Sequence, residues 1–116
     1  VRLVHGGVVP GVPIEKQSKK SLLTMRYLGP NGEPIEKGGT VLWGTLYVGP
    51  PHVVFGHNAQ PDLQLHPWAT GIDTAAVYGG RLTALVLDDG EHVPPIEDRR
   101  ERLFSVPAQA RYYQHT

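Results

Sequence analysis

A histidine that follows an apolar segment is the leading candidate for chemistry in this sequence. His57 comes directly after VVFG at residues 53–56 and opens a polar stretch. The carboxyl tip of a buried strand is where α/β sheets place binding and catalytic groups. A neutral imidazole can ligate Mn, Zn, Fe or Co, and a rigid strand end fixes its direction. The alternative is a turn histidine that satisfies backbone groups.

Other side chains with suitable chemistry lie on either side of this segment. His5 ends the opening segment VRLVH and has the same two interpretations as His57. Arg26 and Arg81 are candidates for a phosphate clamp, because a guanidinium matches phosphate oxygens in a bidentate manner. Tyr78, just before Gly79, could line the site. The two arginines could equally be surface residues, and the tyrosine an ordinary turn aromatic.

The remaining candidates favour structural roles. Asp73 lies in GIDT, where a carboxylate more often braces a loop through hydrogen bonds to the backbone than it acts as an acid or metal ligand. His66 precedes a proline in the polar loop and could reach the mouth of the site. His52, His92 and His115 are interpreted as surface or packing residues.

Short elements joined by turns are expected, because the chain has 14 glycines and 11 prolines. Residues 1–5 read as a strand whose apolar side chains pack inside. Apolar residues at helical spacing from Ile14 predict a short surface helix. Residues 29–40 are rich in turn formers and predict a loop, whereas 41–47 suit a strand or the aromatic floor of a pocket. Residues 52–55 have the pattern of a strand buried on both faces.

The second half of the chain continues in short elements. Residues 58–67 are predicted to lack regular structure. A strand over 68–74 and an apolar segment that follows Gly79 and Gly80 predict a hairpin. The charged run at 97–102 indicates a solvated face or a short helix rather than a binding surface. The last segment, FSVPAQARYYQHT, either docks as an edge segment or extends away.

Composition excludes several classes of protein. The 116 residues are 40% hydrophobic and 19% charged, which is the globular range. Eleven basic and eleven acidic residues balance, so no broad surface for nucleic acid or lipid is expected. No apolar run approaches the roughly 18 residues of a membrane span. The absence of cysteine excludes disulfides and thiolate sites and favours a reducing compartment.

Four segments together resemble one enzyme family. They are LVHGGVVPGVPIEKQ, LLTMRYL, VVFGHNAQ and GIDTAAVYGGRLTAL, and they cover most of residues 1 to about 90 in the order found in that family. The chain resembles the C-terminal half of a calcineurin-like metallophosphoesterase, near the diadenosine-tetraphosphatase-like and phosphoprotein phosphatase branch. The resemblance implies an α/β (α+β) fold, the C-terminal half of a β-sandwich with flanking helices. Residues 1–93 would form this half, and 94–116 a charged C-terminal extension.

The resemblance also assigns a chemistry. The complete enzyme would hydrolyse phosphate esters or phosphoanhydrides, in dinucleoside polyphosphate-like or phosphoprotein substrates, with two divalent metal ions (Mn, Zn, Fe or Co). By this resemblance His5 and His57 ligate the same metal. The candidates for binding the phosphorylated substrate are Arg26, Arg81, Tyr78 and Asn58. The residues expected to support the site structurally are Gly6, Gly7, Gly56 and Asp73.

Three motifs of the resembling family do not occur in this sequence: Asp-x-His, Gly-Asp-x-x-Asp-Arg-Gly and Gly-Asn-His-Asp/Glu. We therefore expect a C-terminal portion of a longer protein, with incomplete metal binding and no turnover by this chain alone. The missing N-terminal half would come from the same protein or from a separate chain. The alternative is a catalytically inactive, phosphatase-like module that acts as a structural or interaction subunit of a larger assembly.

Two further departures from the family concern single positions. Ala59 stands where the broader family has the second histidine of Gly-His-x-His, which the phosphoprotein phosphatase branch also lacks. Ala75 and Ala76 stand where members usually have Gly-Cys. If the backbone at Ala75 needs a positive φ, the alanine there costs about 1 kcal/mol.

Overall fold

The computed structural model describes residues 1–114, so His115 lies outside the described residues. Within this part the chain forms a mixed α/β structure, as expected. It contains two α-helices, α1 at Lys19–Thr24 and α2 at Ile96–Arg99. Its nine strands are β1 Arg2–Val4, β2 Tyr27–Leu28, β3 Pro34–Ile35, β4 Val41–Leu42, β5 Val53–Phe55, β6 Gln64–His66, β7 Ala69–Gly71, β8 Arg81–Leu85 and β9 Leu103–Pro107. None of the helices in this range is long and apolar enough to cross a bilayer.

A four-stranded sheet with the order β1-β5-β7-β6 forms the centre of the structure. β5 is parallel to both β1 and β7, and β6 is antiparallel to β7. All three residues of β5 are buried, which confirms the prediction of a strand covered on both faces. Because β1 and β5 are parallel, their carboxyl ends lie at the same edge of the sheet.

The hydrophobic core packs against one face of this sheet. Trp43 is 1% exposed, and its ring centroid lies 4.7 Å from that of Phe55 and 5.7 Å from that of Tyr47. It sits in a short 3₁₀ turn, Trp43–Thr45, after β4. Of the predicted alternatives for 41–47, a strand forms only at Val41–Leu42, and the aromatic residues Trp43 and Tyr47 belong to the core.

A smaller sheet lies beside the site and corrects the predicted loop at 29–40. β2 pairs antiparallel with both β3 and β4, two residues each. The backbone N–H of Arg26 donates to the carbonyl of Ile35 at 3.0 Å and extends the β2–β3 ladder. The turn residues predicted a loop, but two-residue strands leave no periodicity in the sequence. This ladder holds residues 35 and 36 next to Arg26.

The predicted hairpin around Gly79 and Gly80 is wrong. β8 pairs with β9 over five residues, from Arg81 opposite Pro107 to Leu85 opposite Leu103. Between β7 and β8 the chain turns through Ala75 and a 3₁₀ segment, and β7 pairs with β5 and β6 instead. The segment after residue 102 thus docks as a strand, which was one of its two predicted alternatives.

Three other expectations need correction. β1 lies at the edge of the sheet and only Val4 packs against the core, whereas Leu3 is 82% and Val1 58% exposed. Residues 58–67 include β6 and are not wholly irregular. The helix predicted from Ile14 is split into a 3₁₀ turn and α1, because the Ser18 hydroxyl accepts from the N–H of Ser21 and starts the helix afresh.

Arg99 anchors the charged run at 97–102 to the central sheet. Its side chain is 1% exposed and donates only to backbone carbonyls. Its Nε–H donates to the carbonyl of Pro94 at 3.0 Å. Nη1 donates to the carbonyls of His66 at 2.6 Å and Ala69 at 3.4 Å, and Nη2 to that of Pro67 at 3.3 Å. The run does form a short helix, as predicted, but this arginine is buried and is not part of a solvated face. The domain boundary at residue 93 stays a prediction.

His52 is buried next to this arginine, at the opposite end of β5 from the site. It is 8% exposed, and its Nε2 lies 2.8 Å from the Thr70 hydroxyl. Burial and, secondarily, the charge of Arg99 lower the pKa of His52 from its usual 6.5 to about 4. His52 is thus a packing residue, as expected.

Replacement of Arg99 by methionine should lower the free energy of unfolding by about 2–4 kcal/mol, because buried carbonyls lose their donor. The matched control is Arg100→Met. The Arg100 side chain is 61% exposed and pairs with Asp62 at 3.6 Å, so its loss should cost about 0.5 kcal/mol or less. Urea unfolding at neutral pH measures both. Equal losses in the two variants would contradict the anchoring role of Arg99.

The free energy of unfolding should fall as the pH drops from about 6.5 toward 4. The folded-state pKa of His52 is depressed, so its contribution is complete above the unfolded pKa and is lost as the unfolded chain takes up the proton. The loss from this residue is about 3 kcal/mol at most. Urea unfolding across this pH range should show a shallower dependence in His52→Gln. Some dependence should remain, because burial also lowers the pKa of His66. An unchanged slope would refute the assignment to His52.

Candidate active site

The two predicted metal ligands lie side by side. Val4 and Phe55 are paired at the ends of β1 and β5, so His5 and His57 follow at the same edge of the sheet. Their ring centroids are 5.0 Å apart, with the ring planes inclined at 45°. His5 is exposed and the His57 side chain is 17% exposed. Two imidazoles far apart in sequence therefore lie next to each other at one solvent-accessible edge of the sheet.

His57 adopts a backbone conformation that is rare for a residue with a side chain. Its φ is +68°, and the N–H of Asn58 donates to the carbonyl of Gly56 at 2.7 Å. A hydrogen bond that spans one residue with positive φ is the γ-turn that is strained for L-residues. Such strain costs about 1–3 kcal/mol and clusters at functional sites. The turn rotates the imidazole out of the direction of β5.

Two clefts flank the histidine pair. One, which we name the Arg26 cleft, has a volume of about 330 Å³, and the other, the Arg81 cleft, about 410 Å³. The lining of the Arg26 cleft includes Arg26, Glu36, Lys37, His57, Asn58 and Tyr78. The lining of the Arg81 cleft includes His5, Gly56, Asp73 and Arg81. Three of the four predicted substrate-binding residues thus share the Arg26 cleft with His57.

A larger cleft of about 800 Å³ lies at the other end of β5. It is lined by His52, Trp68 and a series of prolines, and it contains none of the predicted site residues. It is larger than either cleft beside the histidines. The chemistry is instead concentrated at the carboxyl ends of the parallel strands, where the imidazoles lie.

Asn58 brings a buried donor to the Arg26 cleft. The residue is 9% exposed, and its Oδ1 accepts from Gln60 Nε2 at 3.3 Å. Its Nδ2 has no hydrogen-bond partner in the described part of the chain. A buried donor without an acceptor is costly, by about 1–3 kcal/mol. Because Nδ2 is itself buried, an acceptor in the cleft reaches it only after the Asn58 side chain or its neighbours move.

Arg26 is held at the back of the same cleft by backbone oxygens. Its Nη1 donates to the carbonyl of Glu36 at 3.4 Å, and its Nη2 to the carbonyl of His57 at 3.5 Å. Nη1 also lies 3.8 Å from the Glu36 carboxylate. The guanidinium is thereby oriented, with 26% of its side chain exposed.

Glu36 is the site residue that the sequence did not reveal. Its Oε2 lies 3.1 Å from Nε2 of His57. It follows β3, inside the segment predicted as a loop. No motif marks it, and only the two-residue pairing of β2 with β3 brings it to the site. Lys37, the next residue, lines the same cleft and was missed for the same reason.

Arg81 is separated from the other substrate-binding candidates. Its Nη2 lies 3.6 Å from Asp62 Oδ1, and 46% of its side chain is exposed. It lines the Arg81 cleft with His5 and does not line the Arg26 cleft. Tyr78, in contrast, lines the Arg26 cleft and packs edge-on against Tyr113 at 5.9 Å between ring centroids.

The predicted supporting glycines have different surroundings. A Cβ at Gly6 would lie 2.9 Å from the Leu23 backbone, and one at Gly7 would lie 2.6 Å from the Trp43 indole nitrogen. Both glycines therefore allow close packing directly behind His5. At Gly56 the nearest atom to such a Cβ would be 3.7 Å away, so a side chain there has room.

Asp73 and His66 serve the structure around the site. Asp73 Oδ1 accepts from the N–H of Ala75 at 3.2 Å, so a loop-bracing role accounts for this carboxylate. His66 lies on β6, where its Nε2 is 3.2 Å from Gln64 Oε1, and it lines neither cleft. His92 is exposed.

The donor set suits part of a metal site. Imidazole nitrogens bind Mn, Zn, Fe and Co, and two of them share one edge of the sheet here. Within residues 1–114, no group of three or more histidine, aspartate or glutamate side chains is arranged to hold a metal ion. The pair therefore fits a metal as two ligands of a larger set.

Comparison with known proteins also relates the chain to phosphatases. No protein-family model matches the chain. It is 35% identical over 82 residues to proteins named bis(5'-nucleosyl)-tetraphosphatase PrpE (asymmetrical) from Bacillus thuringiensis, Bacillus cereus and Bacillus anthracis. The alignment covers 69% of this chain. A crystal structure of a protein assigned as a diadenosine tetraphosphatase superposes with a TM-score of 0.69 and 35% identity over 90% of this chain.

The predicted resemblance to diadenosine tetraphosphatases is confirmed. The alignment covers 33% of the length of the curated relatives. The superposition covers 45% of the chain in the solved structure. The partial coverage is consistent with part of a metallophosphoesterase domain. The names of the relatives support phosphoanhydride hydrolysis as the general chemistry of these proteins.

The alanine for which a positive φ was in question does occupy a left-handed position. Ala75 has φ +66° and ψ +34°. Ala75→Gly should raise the free energy of unfolding by about 1 kcal/mol. Glycine removes the cost of about 1–2 kcal/mol that the left-handed conformation imposes on an L-residue, but its greater backbone entropy in the unfolded chain offsets part of this stabilisation. Urea unfolding measures the change.

The neighbouring residue provides the control. Ala76 lies in the 3₁₀ segment Ala76–Tyr78, so Ala76→Gly should lower the free energy of unfolding by about 0.5–1 kcal/mol. Opposite signs for the two substitutions are expected. A loss of stability in both would show that Ala75 is not strained.

Proposed function

We propose that this chain supplies two histidine ligands to one metal of a dinuclear phosphatase that hydrolyses phosphate esters or phosphoanhydrides. Dinucleoside polyphosphates or phosphoproteins are the proposed substrates. The observation that carries the proposal is the His5–His57 pair, 5.0 Å between ring centroids, beside a cleft with cationic and amide donors. The names of the relatives support the same reaction class.

Each candidate site residue of this chain has a proposed role. His5 and His57 would each offer a neutral imidazole nitrogen to the metal. When bound, the two ions (Mn, Zn, Fe or Co) would provide an activated water and neutralise developing charge. Arg26 and Asn58 would donate to the phosphate oxygens in the Arg26 cleft. Tyr78 and Arg81 complete the proposed binding set from the walls of the two clefts.

The remaining ligands are proposed to come from the missing N-terminal half of the phosphatase. Two imidazoles leave a metal short of the three or more protein ligands that catalytic sites use. By resemblance to the metallophosphoesterases, the missing half supplies aspartates and an asparagine as ligands, and a histidine that protonates the leaving group. This half would belong to the same protein or to a separate chain.

A second candidate is an inactive, phosphatase-like module in a larger assembly. One observation favours it. Leu82, Phe104 and Val106 are 57–63% exposed on one face of the two-stranded β8–β9 sheet, and a larger assembly would bury such a face. Turnover by the protein that contains both halves separates the candidates, because a structural module would have none.

Titration of Mn²⁺ by calorimetry into this chain should show weak binding that either His5→Ala or His57→Ala reduces by about tenfold or more. Each substitution removes one of only two imidazole ligands. The wild-type chain alone should not hydrolyse an aryl phosphate. His92→Ala is the matched control, since this exposed histidine lines neither flanking cleft.

Two results would count against the proposal. Mn²⁺ affinity that is the same in both site variants and the wild type would exclude the pair as ligands. Tight binding with turnover by the wild-type chain would show that the site is complete and that the half-site assignment is wrong.

A further inference from the structure

Glu36 reaches His57 from a separate part of the chain. Its carboxylate oxygen Oε2 lies 3.1 Å from the ring nitrogen Nε2 of His57, across 21 residues of sequence. The β2–β3 ladder places Glu36, and its last hydrogen bond joins Arg26 N–H to Ile35 carbonyl at 3.0 Å. The contact therefore depends on backbone pairing and not on a flexible loop.

The carboxylate is also held from its other side. Arg26 Nη1 lies 3.8 Å from the same Oε2 and donates to the Glu36 carbonyl at 3.4 Å. Its Nη2 donates to the carbonyl of His57 at 3.5 Å. One guanidinium thus bridges the carboxylate and the backbone of the histidine that the carboxylate contacts. Glu36 thus contacts the His57 ring, while Arg26 holds the backbone of the same residue.

The chemistry of the contact fixes which nitrogen remains available. An ionised carboxylate only accepts hydrogen bonds, so Nε2 of a neutral His57 must carry the proton. The lone pair is then on Nδ1. Histidines that ligate metals commonly donate the other ring N–H to a carboxylate, which sets the tautomer and the ring orientation.

We propose that Glu36 is a positioning residue that holds His57 as its Nε2–H tautomer and so presents Nδ1 as the metal-binding nitrogen. The inference rests on the proposed function for the identity of the ligand, but the tautomer is a property of this chain alone. It assigns a role to a residue in the turn-rich segment 29–40.

Nitrogen NMR of the histidine rings tests the tautomer without metal. At pH 8 the wild-type chain should show widely separated shifts for the two His57 nitrogens, with the proton on Nε2. In Glu36→Ala the shifts should move toward each other as the tautomers mix. Glu36→Gln should stay near the wild type, because its amide oxygen can still accept. Glu33→Ala, which removes a carboxylate from the same turn-rich segment but leaves the Glu36–His57 contact intact, should also match the wild type.

Zn²⁺ titration provides the second readout. Glu36→Ala should weaken affinity by about 10- to 100-fold, and Glu36→Gln by less, if the hydrogen bond positions the ring. Equal losses in the two variants would indicate that the charge and not the hydrogen bond matters, and would overturn the proposal. So would His57 nitrogen shifts that are the same in Glu36→Ala and the wild type.

The two proposals fail in different ways. If the chain binds no Zn²⁺ but the tautomer depends on Glu36, the positioning contact stands and the metal assignment fails. If Zn²⁺ binds through His5 and His57 but the His57 tautomer is the same in Glu36→Ala and the wild type, the metal assignment stands and the positioning role fails.

Discussion

The parallel pairing of β1 with β5 is the constraint on which the site depends. With Val4 opposite Phe55, the chain leaves both strands at one edge, and His5 and His57 are the residues that follow. A shift of register by one residue would turn every side chain of β5 to the other face and remove the buried residues from the core. The same burial that stabilises β5 therefore places the two imidazoles.

Local strain at the site is compensated by its surroundings. His57 and Ala75 are the two non-glycine residues with positive φ in the described chain, and they lie on the two segments that leave β5 and β7. Asp73 accepts from Ala75 N–H, and Arg26 donates to the His57 carbonyl. Strained conformations persist where neighbouring contacts over-determine them. The bracing side chains are themselves close to the proposed chemistry, so stability and function draw on the same contacts.

The sequence predicted the elements with strong local signals and missed those that depend on distant pairing. A continuous apolar run identified β5, and the resemblance identified His5 and His57 as a pair. Glu36 was missed because a two-residue ladder leaves no periodicity to detect. The hairpin at residues 79–80 was wrong because turn glycines predict a bend but not the partner, and β8 pairs with β9 instead. Arg99 was assigned to solvent because a charged run does not show which member is buried.

Asn58 adds a buried donor, unpartnered in the described chain, to the mixed charges of the Arg26 cleft. Arg26 and Lys37 offset the negative charge of Glu36, and Arg26 already donates to backbone carbonyls. The Nδ2 of Asn58 differs, because the described chain gives it no acceptor while Gln60 fixes the orientation of the amide. Because Nδ2 is itself buried, an acceptor would relieve this cost of about 1–3 kcal/mol only after the Asn58 side chain moves. In the proposed site, that movement would let a phosphate oxygen and not an apolar group take the hydrogen bond, whatever the net charge of the cleft.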